Sequence, residues 1–336
     1  MDNKWNNNKL EPVLITYNRA EDLLRTLDAF IAADLTWMKL HVLDNASTDN
    51  TKLVVNAAQK KWPNLTYHRN LYNIGGNANI LRAVEITSSE YSWIIGDDDA
   101  WHLNDISDLC AALRDGDADI IRLGWLVSKQ SRGLKEYAVD LAYKESLLFA
   151  SISMISATIV RRSIIIPHLP HAYMGACDAY PQLVPLIRAI SRIPLIIYTL
   201  KHDLMTHTPS NAPGYYFGDL EWASSWFRIS RFIESSQLRK LFLGEVMIYM
   251  SRKHPGKLNE FIRLVKKALN FKSLSVNQWP YLLSMMAYGT GYRLRMFWLM
   301  VIYALLPMKI AVFLRMFYMV INKKNDSKLK SDRSRL

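Results

Sequence analysis

Three consecutive aspartates follow a short apolar run and one glycine, in the order Trp93-Ile94-Ile95-Gly96-Asp97-Asp98-Asp99. Carboxylates directly after a buried strand repel one another and lose hydration, so they persist mainly where a cation binds them. Hard oxygen ligands suit Mg²⁺ or Mn²⁺, and such an ion usually completes its shell with substrate phosphates. The alternative is a solvated acidic turn that caps the next helix, because aspartate suits N-cap positions. We favour the metal site.

A second polar segment follows the apolar run Leu40–Leu43 and reads Asp44-Asn45-Ala46-Ser47-Thr48-Asp49. An aspartate at a strand end can accept hydrogen bonds from a nucleobase edge or from ribose hydroxyls. The last three residues are also typical of the cap of a helix that starts at Asn50 or Thr51. A nucleotide contact by Asp44 and a plain turn both fit the sequence.

A glycine-containing loop, Asn73-Ile74-Gly75-Gly76-Asn77-Ala78-Asn79, opens a helical pattern. Glycines let a backbone approach an anion closely, and a helix N-terminus favours phosphate. The segment matches neither GxGxxG nor a P-loop, since no GK[ST] follows. By its spacing alone it is weak evidence for a phosphate site.

These segments follow strands that alternate with amphipathic helices, which predicts βαβ units and a mostly parallel sheet. Ligands bind beyond the carboxyl ends of such strands, and the first four strands end in polar residues that would together build a site. The predicted strands are Val13–Thr16, Leu40–Leu43, Leu65–His68, Trp93–Ile95, Ile120–Leu123, Ile159-Val160 and Leu195–Tyr198. The predicted helices lie near Glu21–Ala33, Thr51–Lys61, Asn77–Thr87, Asp105–Arg114 and Pro181–Ile190.

Four motifs in this order and spacing resemble the family 2 glycosyltransferases of the GT-A fold: PVLITYNR, LDNASTDNT, RNLYNIGGNAN and IIGDDDAW. Within that family the chain is similar to bacterial O-antigen transferases. The resemblance covers about residues 11–215. It implies an α/β GT-A nucleotide-diphospho-sugar transferase fold with a mostly parallel Rossmann-like sheet, and a C-terminal helical region follows it. It also implies Mn²⁺ or Mg²⁺ as cofactor, a nucleotide-sugar donor and a polyprenyl-diphosphate-linked oligosaccharide acceptor.

The resemblance assigns donor-binding roles to individual residues. The loop after the first strand, together with Asp44, would match the pocket for the base and ribose. Arg69 or Asn73 would lie near the diphosphate, beside the Gly75-Gly76 loop. The full set is Thr16, Tyr17, Asn18, Asp44, Arg69, Asn73, Gly75, Gly76 and Asp97.

The aspartate cluster departs from the family pattern in one position. Members often read Asp-x-Asp-Asp, and here Gly96 stands where the first aspartate would be. Asp98 then becomes the expected direct metal ligand, with Asp97 on the ribose or the metal and Asp99 in support. Alternatively, Asp97 and Asp99 form the Asp-x-Asp pair. His207 is the candidate for the late histidine that completes the metal shell in many such enzymes, although a lone histidine is more often a loop residue.

The resemblance also implies an inverting transfer, which needs a general base for the acceptor hydroxyl. In the family this is an acidic residue in the second half of the domain, which makes Asp178 the candidate here. A cap of the helix near Pro181–Ile190 is the simpler role for Asp178, since proline suits a first helical turn. Glu145 and Asp140 are weaker rivals for the base.

Composition bounds the partners and the compartment. The chain has 336 residues and a net charge of +12, so we expect anionic partners. Two cysteines, Cys110 and Cys177, give neither a disulfide framework nor a zinc pattern. The polar N-terminus lacks an apolar signal region, so we expect a cytoplasmic protein. The expected organisation is a flexible N-terminus (1–10), a catalytic domain (11–215), a helical region (216–322) and a basic tail (323–336).

The segment Met296–Ile321 is apolar and aromatic, with Lys309 and Arg315 as its only charges. It is interrupted by Pro307 and too short in its uncharged run to cross a bilayer, so we expect a helical pair in the lipid interface. The basic tail would add attraction to an anionic membrane surface, the inner face of the bacterial plasma membrane. A buried C-terminal core helix is the alternative.

Two rival functions fit part of the pattern. A sugar-phosphate nucleotidyltransferase would usually carry a glycine-rich basic loop after the first strand, where this chain has Thr16-Tyr17-Asn18-Arg19. A basic nucleic-acid-binding protein would explain the net charge. Aspartates at a strand end would repel phosphates, so we expect no nucleic-acid partner.

Overall fold

The structure, a computed structural model, describes residues 4–178, 180–208 and 225–253. Its centre is an eight-stranded sheet in the order β3-β2-β1-β4-β8-β6-β9-β7, beside a two-stranded sheet of β5 and β10. The strands are β1 (Val13–Thr16), β2 (Leu40–Asp44), β3 (Leu65–Arg69), β4 (Tyr91–Gly96), β5 (Ala100–Trp101), β6 (Ile120–Arg122), β7 (Lys135–Tyr137), β8 (Thr158–Arg161), β9 (Ile196–Thr199) and β10 (Met205–Thr206).

Helices cover both faces of this sheet, and 3₁₀ turns lie at Lys129–Ser131, Ile166–His168 and Ser230–Phe232. Residues 225–229 are also helical. The α-helices are α1 (Ala20–Ala32), α2 (Thr51–Gln59), α3 (Gly76–Glu85), α4 (Ser107–Asp115), α5 (Ala138–Lys144), α6 (Leu148–Ser153), α7 (Arg162–Ile165), α8 (Leu169–Met174), α9 (Leu183–Ile190) and α10 (Ser236–Lys253).

The N-terminal half of the sheet is parallel, as the alternating pattern predicts. β1 pairs with β2 and β4, and β2 pairs with β3, all in parallel register. Alternate residues of β1 point to opposite faces: Val13 enters the core under α3 and α9, whereas Leu14 enters the core under α1, α2 and α4. Two apolar layers therefore hold the sheet between them.

The C-terminal half is mixed. β8 lies antiparallel between β4 and β6, β9 is parallel to β6, and β7 closes the edge antiparallel to β9. Consequently β1, β2, β3, β4, β6 and β9 all point the same way, and their carboxyl ends share one edge. The seven predicted strands are confirmed within two residues at each end. The short strands β5, β7 and β10 carry no apolar periodicity and were not predicted.

Residues 4–10, expected to be flexible, pack on the domain instead. Trp5 is 5% exposed, and its Nε1 donates a hydrogen bond of 3.1 Å to the carbonyl oxygen of Leu10. Leu10 is buried and forms a parallel bridge with Tyr91 at the start of β4. Two large apolar side chains thus anchor a segment whose asparagine-rich composition suggested a free end.

The C-terminal region expected from residue 216 begins inside the same core. Trp226 is buried and stacks on Phe242 with ring centroids 4.6 Å apart. Both belong to the apolar layer that contains α9 and β9. Residues 225–243 therefore share the apolar core of the sheet. The segment Met296–Ile321 and the basic tail lie outside the described residues. Within the described ranges, no helix has the length and apolarity needed to cross a membrane.

Candidate active site

The loops at the carboxyl edge of the sheet contain an unusual set of strained residues. Asn18, Ala46 and Leu126 follow β1, β2 and β6, and have φ values of 51°, 66° and 53°. A positive φ at a residue other than glycine is uncommon, costs of order 1–3 kcal/mol, and clusters at functional sites. The strained backbone therefore indicates that this edge of the sheet has a functional role.

Asp97 is held in the protein interior by two loops. Its Oδ2 accepts a hydrogen bond of 2.7 Å from Thr16 Oγ1, and its Oδ1 lies 3.1 Å from Arg19 Nη1. Thr26 Oγ1 donates to its backbone oxygen. Burial raises the pKa of Asp97 to about 6, against the opposing effects of Arg19 and Thr16. A bound cation would lower that pKa again.

Asp98 lies at the boundary with solvent and shares the same arginine. Arg19 Nη1 is 2.9 Å from Asp98 Oδ2, so one guanidinium bridges two adjacent carboxylates. Burial raises the pKa of Asp98 as well, and Arg19 opposes the shift. No role for Arg19 was expected from the sequence. The sequence signal for Arg19 is its position directly after β1. This strand pairs with β4, which ends in the aspartates.

Asp99 is the least satisfied of the three. Its Oδ1 accepts from His207 Nδ1 at 3.0 Å, while its buried Oδ2 has no hydrogen-bond partner among the described residues. The hydrogen bond to Asp99 raises the pKa of His207. Trp125 packs edge-on against the imidazole, with centroids 5.9 Å apart. The structure thus brings two of the three predicted metal ligands into contact, and a solvated acidic turn is wrong.

The carboxylates of Asp98 and Asp99 and the imidazole of His207 suit a divalent cation. A buried carboxylate oxygen without a partner is the atom that a metal would satisfy, and Asp98 lies next to it in the chain. Carboxylates with one imidazole are acceptable ligands for Mn²⁺. Among the described residues, no three His, Cys, Asp or Glu side chains already form a metal-binding group. Asp98, Asp99 and His207 would have to close around the ion.

Asp44 is fully buried, and protein groups occupy both of its oxygens. Oδ1 accepts from the Ser47 backbone N–H at 2.8 Å, and Oδ2 from Tyr67 Oη at 2.6 Å. Burial, and then the hydrogen bond to Asp44, raise the pKa of Tyr67. This placement suits a residue that supports the loop after β2 more than one that faces a nucleotide. A direct contact between Asp44 and the nucleotide stays a prediction.

The loops after β1 and β2 are fastened to each other. Asn18 Oδ1 accepts from the Thr48 N–H at 2.7 Å, and the Asn18 N–H donates to Ser47 Oγ at 2.9 Å. Asp49 accepts from the N–H groups of Ala20 and of Thr51, so it satisfies the first backbone donor of both α1 and α2. Tyr17 stays exposed between these anchored loops, where its ring is accessible to a ligand.

An asparagine network, which the sequence analysis missed, supports the glycine loop. Asn45 Nδ2 donates to Asn73 Oδ1 at 2.8 Å, and Asn70 Nδ2 donates to both Asn45 and Asn79 at 2.9 Å. Asn73 Oδ1 also accepts from the Gly75 N–H. Asn73 is therefore a support for the loop. The available sequence signal was the frequency of asparagine in LDNASTDNT and RNLYNIGGNAN.

The glycine loop itself has the shape that the sequence predicts. Gly75 has a φ of 83°, and α3 begins at Gly76, so free backbone N–H groups lie at the helix start. Arg69, at the end of β3, is half exposed and donates to the Ser47 carbonyl oxygen at 2.9 Å. A cationic side chain and a helix N-terminus thus end at the same edge, as an anion site requires.

Asp178 lies buried between two parts of the domain, with 4% of its surface exposed. Arg228 Nε donates to its Oδ1, and Asn77 Nδ2 donates to its backbone oxygen at 2.7 Å. The N-cap of α9 is Gln182, so the helix-cap role predicted for Asp178 is wrong. Its contact with Asn77 joins Asp178 to the first turn of α3.

The two rivals of Asp178 occupy different surroundings. Glu145 is buried and binds Arg122 through both oxygens at 2.6 and 3.1 Å, and Ser131 Oγ donates to it as well. A carboxylate so fully paired serves as a structural ion pair. Asp140 is exposed on α5. Asp178 differs from Glu145 in that only one of its carboxylate oxygens accepts a hydrogen bond from a described residue, and its role as the base stays a prediction.

Comparison with protein families and curated proteins gives two matches. Residues 13–168 match the family described as "Glycosyl transferase family 2". A 112-residue stretch is 33% identical to the abequosyltransferase RfbV of Salmonella typhimurium strain LT2. That stretch covers 31% of this chain and 32% of the relative, so the match spans about a third of the curated protein.

Solved structures share the fold at low sequence identity. A mannosyltransferase from Pyrobaculum calidifontis, in complex with GDP-Man and Mn²⁺, has a TM-score of 0.53 and 15% identity over 87% of this chain and 84% of its own. S. aureus TarS 1–349, in complex with UDP-GlcNAc, has a TM-score of 0.55 and 16% identity over 86% of this chain and 88% of its own. The predicted GT-A fold is confirmed.

Proposed function

We propose that the protein is an inverting, metal-dependent glycosyltransferase of family 2, the family that residues 13–168 match. It transfers one sugar from a nucleoside-diphosphate donor to a saccharide acceptor. The observation that carries the proposal is the partnerless buried oxygen of Asp99 beside His207, at the carboxyl end of β4.

The donor side of the site has a role for each anchored loop. Tyr17 offers a ring for the nucleobase, and the backbone between Asn18 and Thr48 frames the ribose. Arg69 and the helix start at Gly76 favour the diphosphate through charge and N–H donors. Asp98, Asp99 and His207 would hold Mn²⁺ or Mg²⁺, which would offset the negative charge that develops on the departing diphosphate.

The acceptor side centres on Asp178. The acceptor hydroxyl oxygen forms a bond to the anomeric carbon while the bond from that carbon to the donor's phosphate oxygen breaks. The bonding pair leaves with the nucleoside diphosphate, and the hydroxyl proton passes to the Asp178 carboxylate. Attack from the face opposite the leaving group inverts the anomeric centre.

Relatives support the substrate class. The Salmonella match is named an abequosyltransferase, and the two solved neighbours were obtained with GDP-Man and UDP-GlcNAc. By extension, the donor here is a nucleotide-activated hexose or deoxyhexose, and the product belongs to a cell-surface polysaccharide of the O-antigen type. A polyprenyl-diphosphate-linked acceptor would place the enzyme at the inner face of the plasma membrane, where the net charge of +12 favours anionic lipid.

The rival functions fit the geometry less well. A nucleotidyltransferase needs a basic loop after β1 to bind triphosphate, whereas Arg19 binds Asp97 and Asp98. Nucleic acid would meet those buried aspartates at the same edge, where like charges repel.

Donor hydrolysis tests the proposal without knowledge of the acceptor, because water can replace the acceptor hydroxyl. The purified chain is incubated with Mn²⁺ and a panel of uridine, guanosine, thymidine and cytidine diphosphate sugars, and the released nucleoside diphosphate is measured. We expect one panel member to be hydrolysed, and chelation of the metal to stop its hydrolysis. Hydrolysis of none, with or without metal, would overturn the proposal.

Asp98→Ala is the matched test of the metal role. We expect at least a 100-fold loss of hydrolysis rate, the scale seen when one group that stabilises developing charge is removed. Asp28→Ala, at an exposed position of α1, is the control and should keep wild-type activity. Full activity of Asp98→Ala with unchanged Mn²⁺ dependence would refute the role of Asp98.

A further inference from the structure

Arg228 contacts the proposed base from a distant part of the chain. Its Nε donates a hydrogen bond to Asp178 Oδ1, across 50 residues of sequence. Oδ1 is the only carboxylate atom of Asp178 that accepts a hydrogen bond from a described residue. The side chains of both partners are largely buried, with 18% and 6% exposure. The contact is thus shielded from solvent and from salt.

The segment that carries Arg228 is packed into the core. Arg228 Nη2 lies 3.2 Å from Ser225 Oγ, one helical turn earlier. Trp226 is buried against Phe242 and donates its Nε1 hydrogen bond to the Phe242 carbonyl oxygen at 2.9 Å. An arginine on such a support delivers its guanidinium to one place at little further entropic cost.

The loop that carries Asp178 is held from both sides. On one side Asn77 Nδ2 donates to the carbonyl oxygens of Ala176 and Asp178, at 2.9 and 2.7 Å. On the other side Tyr180 packs edge-on against Trp226 at 5.9 Å, with a strained φ of 64°. The Asp178 loop therefore connects the start of α3, where the diphosphate is proposed to bind, with residues 225–229.

We propose that Arg228 is a positioning residue for Asp178, an inference that rests on the proposed function. By holding Oδ1, Arg228 fixes the rotamer of the carboxylate and leaves Oδ2 to take the proton of the attacking hydroxyl. A general base must lie within hydrogen-bond reach of that proton, and a displacement of about 1 Å at a reacting group can cost on the order of 100-fold in rate.

The opposite role would give the opposite result. If Arg228 blocked the carboxylate, its removal would release the base and raise the rate. If the pair were only a structural link, its removal would lower stability and leave the turnover of folded protein unchanged. Kinetics on folded protein therefore separate the three roles.

The experiment uses the full chain and the nucleotide sugar that the panel shows to be hydrolysed fastest, with kcat and KM measured from nucleoside diphosphate release. The variants are Arg228→Gln, Arg228→Lys, Asp178→Asn and the double variant Asp178→Asn with Arg228→Gln. Arg231→Gln is the matched control, since Arg231 is exposed three residues away and lies over the Phe232 ring. Thermal melting of each variant confirms that it is folded.

Positioning predicts a specific pattern. Arg228→Gln should lower kcat by about 10–100-fold with KM for the donor within about threefold, because donor binding is unaffected. Arg228→Lys should recover part of the loss, since it restores a cation but not the Nε donor. The double variant should be no slower than Asp178→Asn alone, as expected for residues that act as a unit.

Three results would overturn the inference, and they are distinguishable. A kcat of Arg228→Gln within twofold of the wild type, while Asp178→Asn is slow, removes Arg228 and keeps the base. A faster Arg228→Gln shows a blocking contact. Wild-type kcat in Asp178→Asn removes the base itself, and Arg228 with it, while continued metal-dependent hydrolysis keeps the glycosyltransferase. If Arg228→Gln does not fold, Arg228→Lys gives the same decision.

Discussion

Three adjacent carboxylates at the end of β4 have three different environments, so we expect a different role for each. Asp97 is tied to the β1 loop, Asp98 shares Arg19 at the solvent boundary, and Asp99 has a partnerless oxygen beside His207. The departure from Asp-x-Asp-Asp at Gly96 has a physical reason. A Cβ at Gly96 would lie 3.2 Å from Asp98 Oδ1 and 3.3 Å from Ser156 Oγ, so a larger residue there would push on the cluster.

His207 supplies a test of metal binding at a single residue. Replacement by alanine should raise the Mn²⁺ concentration for half-maximal donor hydrolysis by about 10–100-fold, the range for loss of a group that supports a metal site. Hydrolysis at saturating Mn²⁺ should be affected less. A metal titration of His207→Ala beside His202→Ala, an exposed neighbour, measures the difference. Equal titration curves for both variants would remove His207 from the metal site.

Arg19 and Arg228, for which no motif indicated a role, have one property in common. Arg19 meets Asp97 across 78 residues of chain, and Arg228 meets Asp178 across 50. Periodicity and motif spacing describe neighbours along the chain, so they found the acidic ends of the strands but not the cations that the fold brings to them. The motif indicated Asp44 as a site residue. Its burial and its contact with Tyr67 follow from the pairing of β2 with β3, which the motif does not specify.

At the scale of elements, prediction succeeded where a segment buries its own apolar pattern. β1 to β4 and α1 to α4 follow directly from runs such as Val13–Thr16 and Leu40–Leu43. β7, of sequence Lys-Glu-Tyr, forms because β9 offers an unpaired edge. The expectation of a flexible segment at residues 4–10 was wrong because the burial of Trp5 and Leu10 outweighs the effect of their five polar neighbours.

Trp5 should therefore matter to stability. Trp5→Ala removes a buried ring that touches Trp37 edge-on at 4.7 Å, and such truncations cost about 3 kcal/mol. For a domain of this size we expect the Tm to fall by about 6–12 °C. Calorimetry of Trp5→Ala measures this fall in Tm. Leu53→Ala is the control, because Leu53 is exposed on α2. A Tm of Trp5→Ala within 2 °C of the control would show that the segment is as loose as its composition suggests.

Glu245 links α10 to α6 and provides a pH test of that contact. Its carboxyl accepts from the N–H groups of Phe149 and Ala150 at 2.9 and 2.8 Å, and burial raises its pKa to about 8. The folded state therefore binds the Glu245 proton more tightly than the unfolded state. Its stabilising effect is full below the ordinary carboxyl pKa and is lost as pH rises towards 8.

We expect the free energy of unfolding to fall by about 1.4 kcal/mol per pH unit from this group between pH 5 and 8. Glu245→Gln keeps the size of the side chain and cannot ionise, so the slope should flatten by that amount. Urea unfolding of wild type and variant at four pH values measures the difference. Identical slopes would mean that the two backbone donors fully offset the burial of the charge.

At the scale of the whole molecule, the proposed donor site and the excess of basic residues both favour an anionic partner. Lysine and arginine outnumber acidic residues by 42 to 30, and eight of the 42 lie from Lys309 to the end. The described domain uses many of its cations internally, as Arg19, Arg122 and Arg228 do in ion pairs. The excess for an external anion thus lies mainly in the C-terminal part, outside the described residues.

Vesicle binding tests this assignment directly. The full chain should sediment with vesicles that contain anionic lipid, and binding should weaken as salt screens the charges. Replacement of Lys323, Lys324, Lys328 and Lys330 by glutamine removes four cations, each worth about 1 kcal/mol near such a surface, so affinity should fall on the order of 10²–10³-fold. Donor hydrolysis by the same variant should stay at the wild-type rate, because the residues proposed for donor binding, chemistry and positioning lie within 16–228. Equal binding of wild type and variant to anionic vesicles would remove the tail from the membrane contact, and equal binding to neutral vesicles would assign the contact to the apolar segment Met296–Ile321.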